Sequence, residues 1–574
     1  MNKKLNVIIT TLNSQYIHSS LAPWCLLSGI REYCDENVDA CVIEGTINEN
    51  TMEIASKIIE KAPQVIGFSC YIWNITKTLV LVEEVKKHLP QAIIVLGGPE
   101  VSYNADMILK DNPLVDYVLS GEGEEPFALF LNMVQKNSDV CGLPGLCYRK
   151  NGLNVISEPY ISKKDPPNPY LPEYFDSLSG RIVYLETSRG CPYSCAFCLS
   201  GRCGSTRFFD MERTKKELLL LANSGTQTIK LVDRTFNAKR ERAAEIISFI
   251  IENYGKSIPE GVCFHFEIAG DILDRKTLEL LSISPIGAIR LEIGLQSFNH
   301  MTLESVRRRT DITALKGNIR QLVKNANIHI HIDLIAGLPY EDWQSFTESF
   351  NTAYELKPHM LQLGFLKLIH GTAMKEDKEK YPCEYSKAPP YEVLSTPWMT
   401  SEELCELHKA EDALERLHNS GRFRRTLEYL IGEVGYAPFE LFYDFGSFVS
   451  ENSKSSISLN EYTGLFYEYF GRQKNVDRMV LRDKMVCDRL STNSTGYIPV
   501  VLRINDPMLR HVKRFLNNNP KTSRQNGIKR GIAIIYSEKC AVYCDYNYNN
   551  KNMNRNPVTG EYNLIKLPLR QILR

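Results

Sequence analysis

Short β-rich runs alternate with amphipathic helical segments twice along this chain, and this alternation limits the possible fold more than any other feature. The first series, before about residue 134, has five such runs: LNVIITT, DACVIEG, QVIGFSC, AIIVLGG and VDYVLSG. Strands separated by helical segments build parallel sheets, because a parallel connection needs a crossover. The first region therefore predicts a doubly wound, Rossmann-like parallel sheet.

The second series begins after a proline-rich stretch, DPPNPYLPEY, that marks a domain boundary. Its β-rich runs span residues 181–187, 228–233, 262–268, 288–295, 328–335 and 359–366. Six strand–helix units predict a (β/α)6 partial TIM barrel. After Pro397 the pattern becomes mainly helical, beginning with a capping box at Thr400 and Glu403.

We therefore predict an α/β fold class with four regions. Residues 1–140 form the Rossmann-like sheet, 141–176 a linker, 177–400 the partial barrel, and 401–574 a mainly α C-terminal domain with short strands at the end. At roughly 100–200 residues per domain, the chain is long enough for each folded region to bury its own core.

The net charge of the chain is zero, with 68 Lys and Arg balancing 68 Asp and Glu, so composition indicates no polyanionic partner. The stretch 507–537 departs from this balance, because it holds seven basic residues and no acidic one: Arg510, Lys513, Arg514, Lys521, Arg524, Lys529 and Arg530. It indicates either a surface for RNA or nucleotides, or a solvated face or a seam against an acidic neighbour. The overall balance favours the second, so we do not expect nucleic acid as a partner.

The longest stretch without Asp, Glu, Lys or Arg runs from Leu5 to Ile30. Asn, Ser, Gln and His interrupt it repeatedly, whereas a membrane span needs about 20 mainly apolar residues. We expect no membrane span and no targeting signal, and therefore a cytoplasmic protein.

Three strands of the second series alternate a polar face with an apolar one. The polar face carries Cys263, His265 and Glu267, then Arg290, Glu292 and Gly294, then His329, His331 and Asp333. A parallel sheet covered on both faces is ordinarily apolar on both. The polar face therefore predicts a lumen that holds a polar ligand, and strands half-exposed on a solvated sheet are the alternative.

One group of cysteines, Cys191, Cys195, Cys198 and Cys203, lies directly after the first strand of the second series. The first three have the spacing C-x3-C-x2-C, and three thiolates on one loop can bind three irons of a cubane and leave the fourth iron open. A structural zinc with Cys203 as the fourth ligand is the alternative, although zinc sites usually join two cysteine pairs from separate places. The loop therefore favours an iron–sulfur cluster.

The segment ETSRGCPYSCAFCLS, with the aromatic Phe197 before the third cysteine, resembles the signature of the radical S-adenosylmethionine (SAM) enzymes. LVDRTFN, FHFEIAGDIL, RLEIGLQSFN and DLIAGLPYED are similar to the successive strand-end motifs of that superfamily. The resemblance implies a 4Fe-4S cluster held by Cys191, Cys195 and Cys198, with SAM on the open iron. It also implies SAM contacts from the backbone near Phe197 and from Glu267, Glu292 and Gln296, with Asp233, Arg309 and Asp333 as further candidates.

The N-terminal region resembles the cobalamin-binding domain that precedes the barrel in the cobalamin-dependent radical SAM class. GFSCYIWN, LGGPEV and GEGEEPF carry this resemblance, and it implies cobalamin contacts from Ser69, Tyr71, Gly97, Gly98, Gly121, Glu122 and Gly123. Glycines at strand ends let backbone approach a bulky ligand closely. No D-x-H-x-x-G loop surrounds His18, which implies a corrinoid without a histidine ligand. A Rossmann-like domain without a ligand is the alternative.

Together the resemblances imply a cobalamin-dependent radical SAM enzyme that cleaves SAM reductively and transfers a methyl group to an unactivated carbon. The alternatives are a radical SAM rearrangement, cyclisation or oxidation, and a non-catalytic sensor of SAM or cobalamin. The C-terminal part, with TLEYLIGEVG, resembles the uncharacterised extension of one subgroup. We expect a small-molecule or peptide substrate and an electron donor such as flavodoxin or ferredoxin.

Overall fold

The computed structural model describes residues 4–35, 37–453, 457–518, 528–547 and 554–572, apart from the side chain of Cys203. The chain forms two compact units. Unit 1 comprises Met1–Ala269, Val306–Arg309 and Leu366–Thr396, and unit 2 comprises Gly270–Ser305, Thr310–Phe365 and Pro397–Arg574. Within the described ranges, every helix is too short or too polar to cross a membrane.

Unit 1 begins with the predicted alternation of strands and helices. Its first elements are β1 (Leu5–Asn13), α1 (Ala22–Tyr33), β2 (Val38–Thr46), α2 (Thr51–Glu60), β3 (Val65–Ser69), α3 (Ile75–His88), β4 (Ile93–Gly97), α4 (Ala105–Asp111), β5 (Tyr117–Leu119), α5 (Glu124–Gln135), β6 (Leu146–Lys150) and β7 (Leu153–Val155). They build a sheet of order β2-β1-β3-β4-β5-β6-β7, in which β1 to β5 pair in parallel. The predicted five-stranded parallel sheet is confirmed.

The strands β6 and β7 form an antiparallel hairpin beside β5, within the segment that the sequence predicted as a linker. Its turn is Asn151-Gly152, with φ of 54° and 79°. Two consecutive residues with positive φ are what a type I′ hairpin turn requires. The N-terminal sheet therefore extends to Val155, beyond the boundary predicted at residue 140.

Helices cover the N-terminal sheet, and its central strands are almost completely buried. On one face Ile8, Ile66 and Ile94 pack in one apolar cluster with Ile58 of α2 and Val85 of α3. This burial fixes where each strand ends. Ligands of open α/β sheets bind beside the carboxyl ends of the strands. The residues at these ends are called the carboxyl edge below: 14–20, 69–74, 97–102 and 120–124.

The middle of unit 1 contains the start of the second series. Its elements are α6 (Pro172–Asp176), β8 (Val183–Leu185), β9 (Ser188–Arg189), β10 (Arg207–Phe208), α7 (Met211–Ala222), β11 (Thr228–Leu231), α8 (Arg240–Asn253) and β12 (Cys263–Ile268). The strand β11 pairs in parallel with both β8 and β12. Tyr184, Lys230 and His265 are in register on the half-buried face, opposite a buried apolar face. Of these three, only His265 was predicted on the polar face, and Cys263, predicted beside it, is buried.

The second series continues in unit 2. Its elements there are α9 (Arg275–Ser282), β13 (Ile289–Gln296), α10 (His300–Ser305), α11 (Ile312–Asn325), β14 (His329–Ala336), α12 (Trp343–Glu355) and β15 (Met360–Phe365). The strand β14 pairs in parallel with β13 and β15. All six strands predicted for the second series are therefore present, three in each unit. The chain then returns to unit 1 for α13 (Ala373–Glu376), β16 (Glu384–Tyr385) and β17 (Val393–Ser395).

The C-terminal part belongs to unit 2 and is mainly helical. It contains α14 (Ser401–Leu414), α15 (Arg424–Leu427), α16 (Pro438–Asn452), α17 (Leu459–Gly471), α18 (Arg478–Thr492), α19 (Met508–Asn518), β18 (Ile528–Ile535), β19 (Cys540–Asn547), β20 (Ile565–Pro568) and α20 (Leu569–Ile572). The predicted capping box of Thr400 and Glu403 begins α14. The three strands form an antiparallel sheet. The predicted α/β class, with a helical C-terminal part and short final strands, is confirmed.

The basic stretch 507–537 divides between α19 and β18. Arg510, Lys513 and Arg514 are exposed on α19. Arg530 is paired with Asp545 across the β18–β19 hairpin at 2.5 Å, and Lys529 is exposed. Lys521 and Arg524 lie outside the described residues.

Candidate functional site

The loop that carries the three cysteines follows β8 and is fixed at its start by Asp233. The Asp233 carboxylate is buried and accepts hydrogen bonds from Thr187 N at 3.0 Å, from Thr187 Oγ1 at 2.7 Å and from Ser188 Oγ. Burial raises the pKa of Asp233 to about 6, although these hydrogen bonds oppose the change. The carboxylate therefore holds the chain just before Cys191, and its predicted contact with SAM stays a prediction.

Residues 190–204, called the cysteine loop below, are anchored through their backbone. Ala196 N donates to Val306 O at 2.9 Å, and Met374 N donates to Ala196 O at 3.0 Å. A Cβ on Gly201 would lie 2.2 Å from Tyr193 O, so only glycine permits this closure. The loop is therefore held in one conformation by neighbouring segments.

The three thiols of the cysteine loop lie close to one another. Cys195 is buried, and Cys191 and Cys198 are partly exposed. Burial raises the pKa of Cys195, Arg308 lowers it, and the thiols of Cys198 and Cys191 raise it further. Cys191 Sγ also lies 3.2 Å from Thr235 Oγ1. Three thiols on one rigid loop are the donor set of a cubane with one open iron, so these residues fit a 4Fe-4S cluster.

A guanidinium accompanies these thiols, and it belongs to Arg308. Its Nη1 lies 3.7 Å from Cys195 Sγ, whereas Arg309, the predicted SAM contact, is exposed. The sequence has three consecutive arginines here, and no pattern within VRRRT singles out the inward one. A cation beside the sulfur stabilises the thiolate that a metal needs.

Two more of the predicted SAM contacts lie in unit 1. Phe197 is half-buried in the cysteine loop. Glu267 is half-buried on β12, with Lys230 Nζ 3.6 Å from its Oε1 and Arg234 Nη1 3.8 Å from its Oε2. Glu267 thus lies on the predicted polar face, balanced by two cations.

Unit 2 carries the predicted contacts Glu292, Gln296 and Asp333. His331 lies between the two carboxylates, with Nε2 2.9 Å from Asp333 Oδ1 and Nδ1 3.9 Å from Glu292 Oε2. One ligand atom from each of these three residues falls within 4.8 Å of the others. The structure brings Glu292 and Asp333 together, and His331, which was predicted only as part of the polar face, joins them.

Gln296 ends β13 in a strained backbone conformation. Its φ is 78°, in the left-handed region, and the register with β14 shifts between Gly294 and Gln296. The buried Oε1 of Gln296 has no hydrogen-bond partner within the described residues. Strained residues and unsatisfied buried amides concentrate at binding sites, so this side chain fits a ligand contact.

Glu341 stabilises the backbone next to Gln296 through a hydrogen bond with Ser297. Ser297 Oγ donates to Glu341 Oε1 at 2.5 Å and accepts from Asn299 N at 2.9 Å. Ser349 Oγ donates to the same Glu341 oxygen at 3.4 Å. Burial raises the pKa of Glu341 to about 8. This buried carboxyl was not predicted, because the GLPYED motif alone does not show that its glutamate points into a core.

At the carboxyl edge, Asn74 ties the ends of β1 and β3 together. Its Nδ2 donates to Leu12 O and to Ser69 O, each at 3.1 Å, and its Oδ1 accepts from Tyr71 N at 2.8 Å. The rings of Tyr71 and Trp73 stack with centroids 4.4 Å apart, and Trp73 is 48% exposed. A rigid, open aromatic surface at this edge suits a large flat ligand.

The predicted glycines of the carboxyl edge have different reasons to be glycine. A Cβ on Gly98 would lie 2.5 Å from Cys70 O, and one on Gly121 would lie 2.2 Å from Tyr160 O. At Gly123 the nearest atom is a Leu26 methyl at 2.8 Å, while at Gly97 nothing lies closer than 3.6 Å. Close approach of the chain's own atoms therefore explains Gly98, Gly121 and Gly123. Of these four glycines, only Gly97 leaves open space where a bulky ligand could approach the backbone closely.

His18 and Glu122 both have partners in unit 1. His18 Nδ1 lies 2.7 Å from Tyr184 OH, and burial lowers the pKa of His18, helped by Lys230 and Arg181. The Glu122 carboxylate pairs with Arg189 and with Arg207, each at 2.7 Å. The implied corrinoid without a histidine ligand stays a prediction.

Comparison with family models assigns three consecutive regions. Residues 11–131 match the B12 binding domain, residues 185–353 match the radical SAM superfamily, and residues 379–554 match a protein family of unknown function, DUF4080. The third match agrees with the predicted uncharacterised extension.

Among the similar proteins, 2-(S-pantetheinyl)-carbapenam-3-carboxylate methyltransferase from Streptantibioticus cattleyicolor is 26% identical over 68% of this chain. The cobalamin-dependent radical SAM methyltransferase TokK from Streptomyces tokunonensis is 29% identical over 55% of this chain. The chain spans 62% and 48% of the lengths of these two relatives.

Solved structures show the same fold. OxsB, a cobalamin-dependent SAM radical enzyme with aqua-cobalamin bound, has a TM-score of 0.55 at 16% identity, over 86% of this chain and 74% of its own. TsrM from Kitasatospora setae, with cobalamin and a 4Fe-4S cluster bound, has a TM-score of 0.54 at 15% identity, over 66% of this chain and 75% of its own. Consecutive matches to a B12 binding domain, the radical SAM superfamily and DUF4080 confirm the predicted resemblance to the cobalamin-dependent radical SAM class.

Proposed function

We propose that this chain is a cobalamin-dependent radical SAM methyltransferase that methylates an unactivated carbon. The observation that carries the proposal is in unit 1, where ion pairs of Arg189 join the segment that enters the cysteine loop to the carboxyl edge of the N-terminal sheet, which matches the B12 binding domain. A chain that cleaved SAM without cobalamin would need the cysteine loop but not the carboxyl edge. The names of the two relatives above, both methyltransferases, support the same reaction.

The bound groups supply the reactive chemistry: the cluster and SAM supply a 5′-deoxyadenosyl radical, and cobalamin carries the methyl group. The protein holds and orients them. Cys191, Cys195 and Cys198 hold the cluster, and Arg308 places a positive charge beside it. The three cysteines lie on a loop whose backbone is hydrogen-bonded at Ala196 to Val306 and Met374, which keeps the radical source in one place.

For SAM we propose Gln296 as the leading side-chain contact, because its amide oxygen is buried without a partner in the part of the chain that the structure describes. Glu267, Glu292 and Asp333 are further contacts, with the backbone at Phe197. For cobalamin we propose the carboxyl edge, where Gly97 leaves room and the Tyr71–Trp73 stack offers an apolar face.

We further propose a small-molecule substrate and a one-electron donor such as flavodoxin or ferredoxin, acting in the cytoplasm. Radical cleavage of one SAM takes up one electron and yields methionine and, after hydrogen abstraction, 5′-deoxyadenosine. With cobalamin bound, a second SAM would supply the methyl group and leave S-adenosylhomocysteine, and a second electron from the donor would restore the corrinoid to its methyl-accepting state. The two relatives named above are methyltransferases, which favours methyl transfer over rearrangement, cyclisation or a sensor role.

The test is anaerobic purification and reconstitution, followed by reaction with SAM and titanium(III) citrate. Wild type should bind iron, sulfide and cobalamin, and should form both 5′-deoxyadenosine and S-adenosylhomocysteine. Cys195→Ala should lose the cluster and 5′-deoxyadenosine, whereas Cys405→Ala, at an exposed cysteine of α14, should keep both. Formation of 5′-deoxyadenosine without S-adenosylhomocysteine would point to rearrangement or oxidation. Failure to cleave SAM with both groups bound would favour a sensor.

A further inference from the structure

Arg189 lies between the cysteine loop and the carboxyl edge and contacts three carboxylates. Its Nη1 is 2.7 Å from Glu122 Oε2, its Nη2 is 2.5 Å from Glu124 Oε1, and its Nε is 2.8 Å from Glu186 Oε1. The four side chains are between 10% and 17% exposed. Such partly buried, charge-assisted hydrogen bonds are stronger and more directional than exposed ion pairs.

The three carboxylates come from two segments, the carboxyl edge and the segment that enters the cysteine loop. Glu122 and Glu124 follow β5 of the N-terminal sheet, whereas Glu186 and Arg189 belong to the segment that enters the cysteine loop. Arg189 is two residues before Cys191, so a shift of its guanidinium moves the loop directly. The GEGEEPF and ETSRGC motifs, which the sequence singled out separately, therefore meet at one guanidinium.

A second arginine, Arg207, makes Glu122 necessary for the pairing of β9 with β10. Arg207 on β10 is directly opposite Arg189 on β9 in the antiparallel pair. Like charges in this relation repel and destabilise the strand pair. Glu122 lies between them, 2.7 Å from each guanidinium, and offsets the repulsion. The β9–β10 pair thus depends on a carboxylate from the N-terminal sheet.

The segments on both sides of Arg189 are rigid. Gly29 of α1 packs so closely on Glu124 that a Cβ would lie 2.4 Å from Glu124 O, and Gly121 packs on Tyr160. On the other side Asp233 fixes Ser188, the residue before Arg189. Arg189 and Arg207 therefore join two backbones that are each held by their own contacts, and these ion pairs set the separation between them.

We propose that Arg189, with Glu122 and Glu124, is a positioning network that sets the distance between the cluster and the corrinoid. The inference rests on the proposed function, since it concerns the placement of its two metal centres. It adds a role for residues that touch neither SAM nor substrate. Because small misplacements slow a reaction strongly, the network should govern how efficiently methyl transfer to the cobalt follows SAM binding.

The first test measures the separation directly, in the full-length chain reconstituted with cluster and hydroxocobalamin and reduced with dithionite. Pulsed electron paramagnetic resonance reports the dipolar coupling between the reduced cluster and cob(II)alamin. Wild type should give one narrow coupling, and Arg189→Gln a distribution roughly twofold or more broader, because the unpaired carboxylates then repel. Arg189→Lys should be intermediate, since lysine keeps the charge but lacks the planar fork.

The second test separates positioning from folding and needs no substrate. With SAM and titanium(III) citrate, Arg189→Gln should form S-adenosylhomocysteine roughly tenfold or more slowly, and Arg189→Lys should be slowed less. Cluster content, cobalamin content and 5′-deoxyadenosine formation should stay near the wild-type values. The control is Arg213→Gln, which removes a half-buried guanidinium of α7 that pairs with Glu217. It should change neither the coupling nor the product ratio.

The possible failures are distinguishable. If wild type binds no cobalamin or cleaves no SAM, the proposed function fails and this inference fails with it. If wild type behaves as proposed and Arg189→Gln keeps the wild-type coupling and product ratio, the positioning role alone is overturned. Loss of cluster in Arg189→Gln together with an unchanged coupling and product ratio in Arg189→Lys would likewise assign the network to folding and overturn the inference.

Discussion

Replacing Glu341 by Gln should remove a pH dependence from the stability of unit 2. Glu341 is fully buried, and two serine hydroxyls are hydrogen-bonded to its Oε1. Its Oε2 has no hydrogen-bond partner within the described residues. Burial raises the pKa of the carboxyl from 4.5 to about 8; the two hydroxyls oppose this change and Asp342 adds to it.

The sign of the effect follows from the direction of this change. A carboxyl whose pKa rises on folding holds its proton more tightly in the folded state, so the free energy of unfolding falls as pH rises from 4.5 to about 8. Each pH unit in that window costs roughly 1.4 kcal/mol. Between about pH 6 and pH 8 the wild type should therefore lose roughly 2 kcal/mol through this group, since the slope flattens near the pKa. Glutamine carries no such proton and should not show the loss.

Hydrogen–deuterium exchange with mass spectrometry measures this locally in the full chain. Peptides covering β13 to α12 should lose protection between the two pH values in wild type, after correction for intrinsic exchange, and should not in Glu341→Gln. The control is Glu348→Gln, at an exposed position of α12, which should behave as wild type. The same pH dependence in Glu341→Gln and wild type would refute the argument.

Three more outcomes are expected. Changing Cys191, Cys195 or Cys198 to Ala should abolish the visible absorbance of the cluster, and stoichiometric zinc without iron in wild type would contradict the assignment. The electron paramagnetic resonance spectrum of cob(II)alamin should lack nitrogen superhyperfine splitting; splitting that disappears in His18→Ala would identify His18 as a cobalt ligand. Arg308→Gln should lower the reduction potential of the cluster, because a cation beside Cys195 favours the reduced state. Redox titration measures the potential, and an unchanged value in Arg308→Gln would contradict this. Arg309→Gln is the control.

The strands of both series were predictable because burial imposes their sequence patterns. The strands β3 and β4 are nearly continuous runs of apolar residues and glycine, and β13 alternates strictly between buried and half-buried residues. The β6–β7 hairpin was missed, although Asn151-Gly152 between two short β-rich runs is a strong hairpin signal. Its strands were overlooked because the prolines that follow drew the linker boundary too early.

The cluster cysteines were predictable because their spacing is local, whereas the supporting contacts are not. Arg189 and Glu122 are 67 residues apart in sequence, and no periodicity links them. Gln296 was named from the family resemblance, but its left-handed backbone follows from a register shift between strands that only the folded sheet shows. The glycines at positions 98 and 121 were predicted as cobalamin contacts, whereas the structure shows the chain's own backbone packed closely against both of them.

A fragment that stopped at residue 140 would strip the β6–β7 hairpin from the N-terminal sheet. Leu119 and Val118 would lose their pairing partners Leu146 and Cys147, both buried, and β5 would become an open edge that recruits other chains. Tyr160 would be lost as well, although its backbone bonds both Ser120 and Glu122. Dissection of the chain should therefore cut after Ser162, and polar replacement of Leu153, which is 74% exposed on β7, is the place to improve solubility.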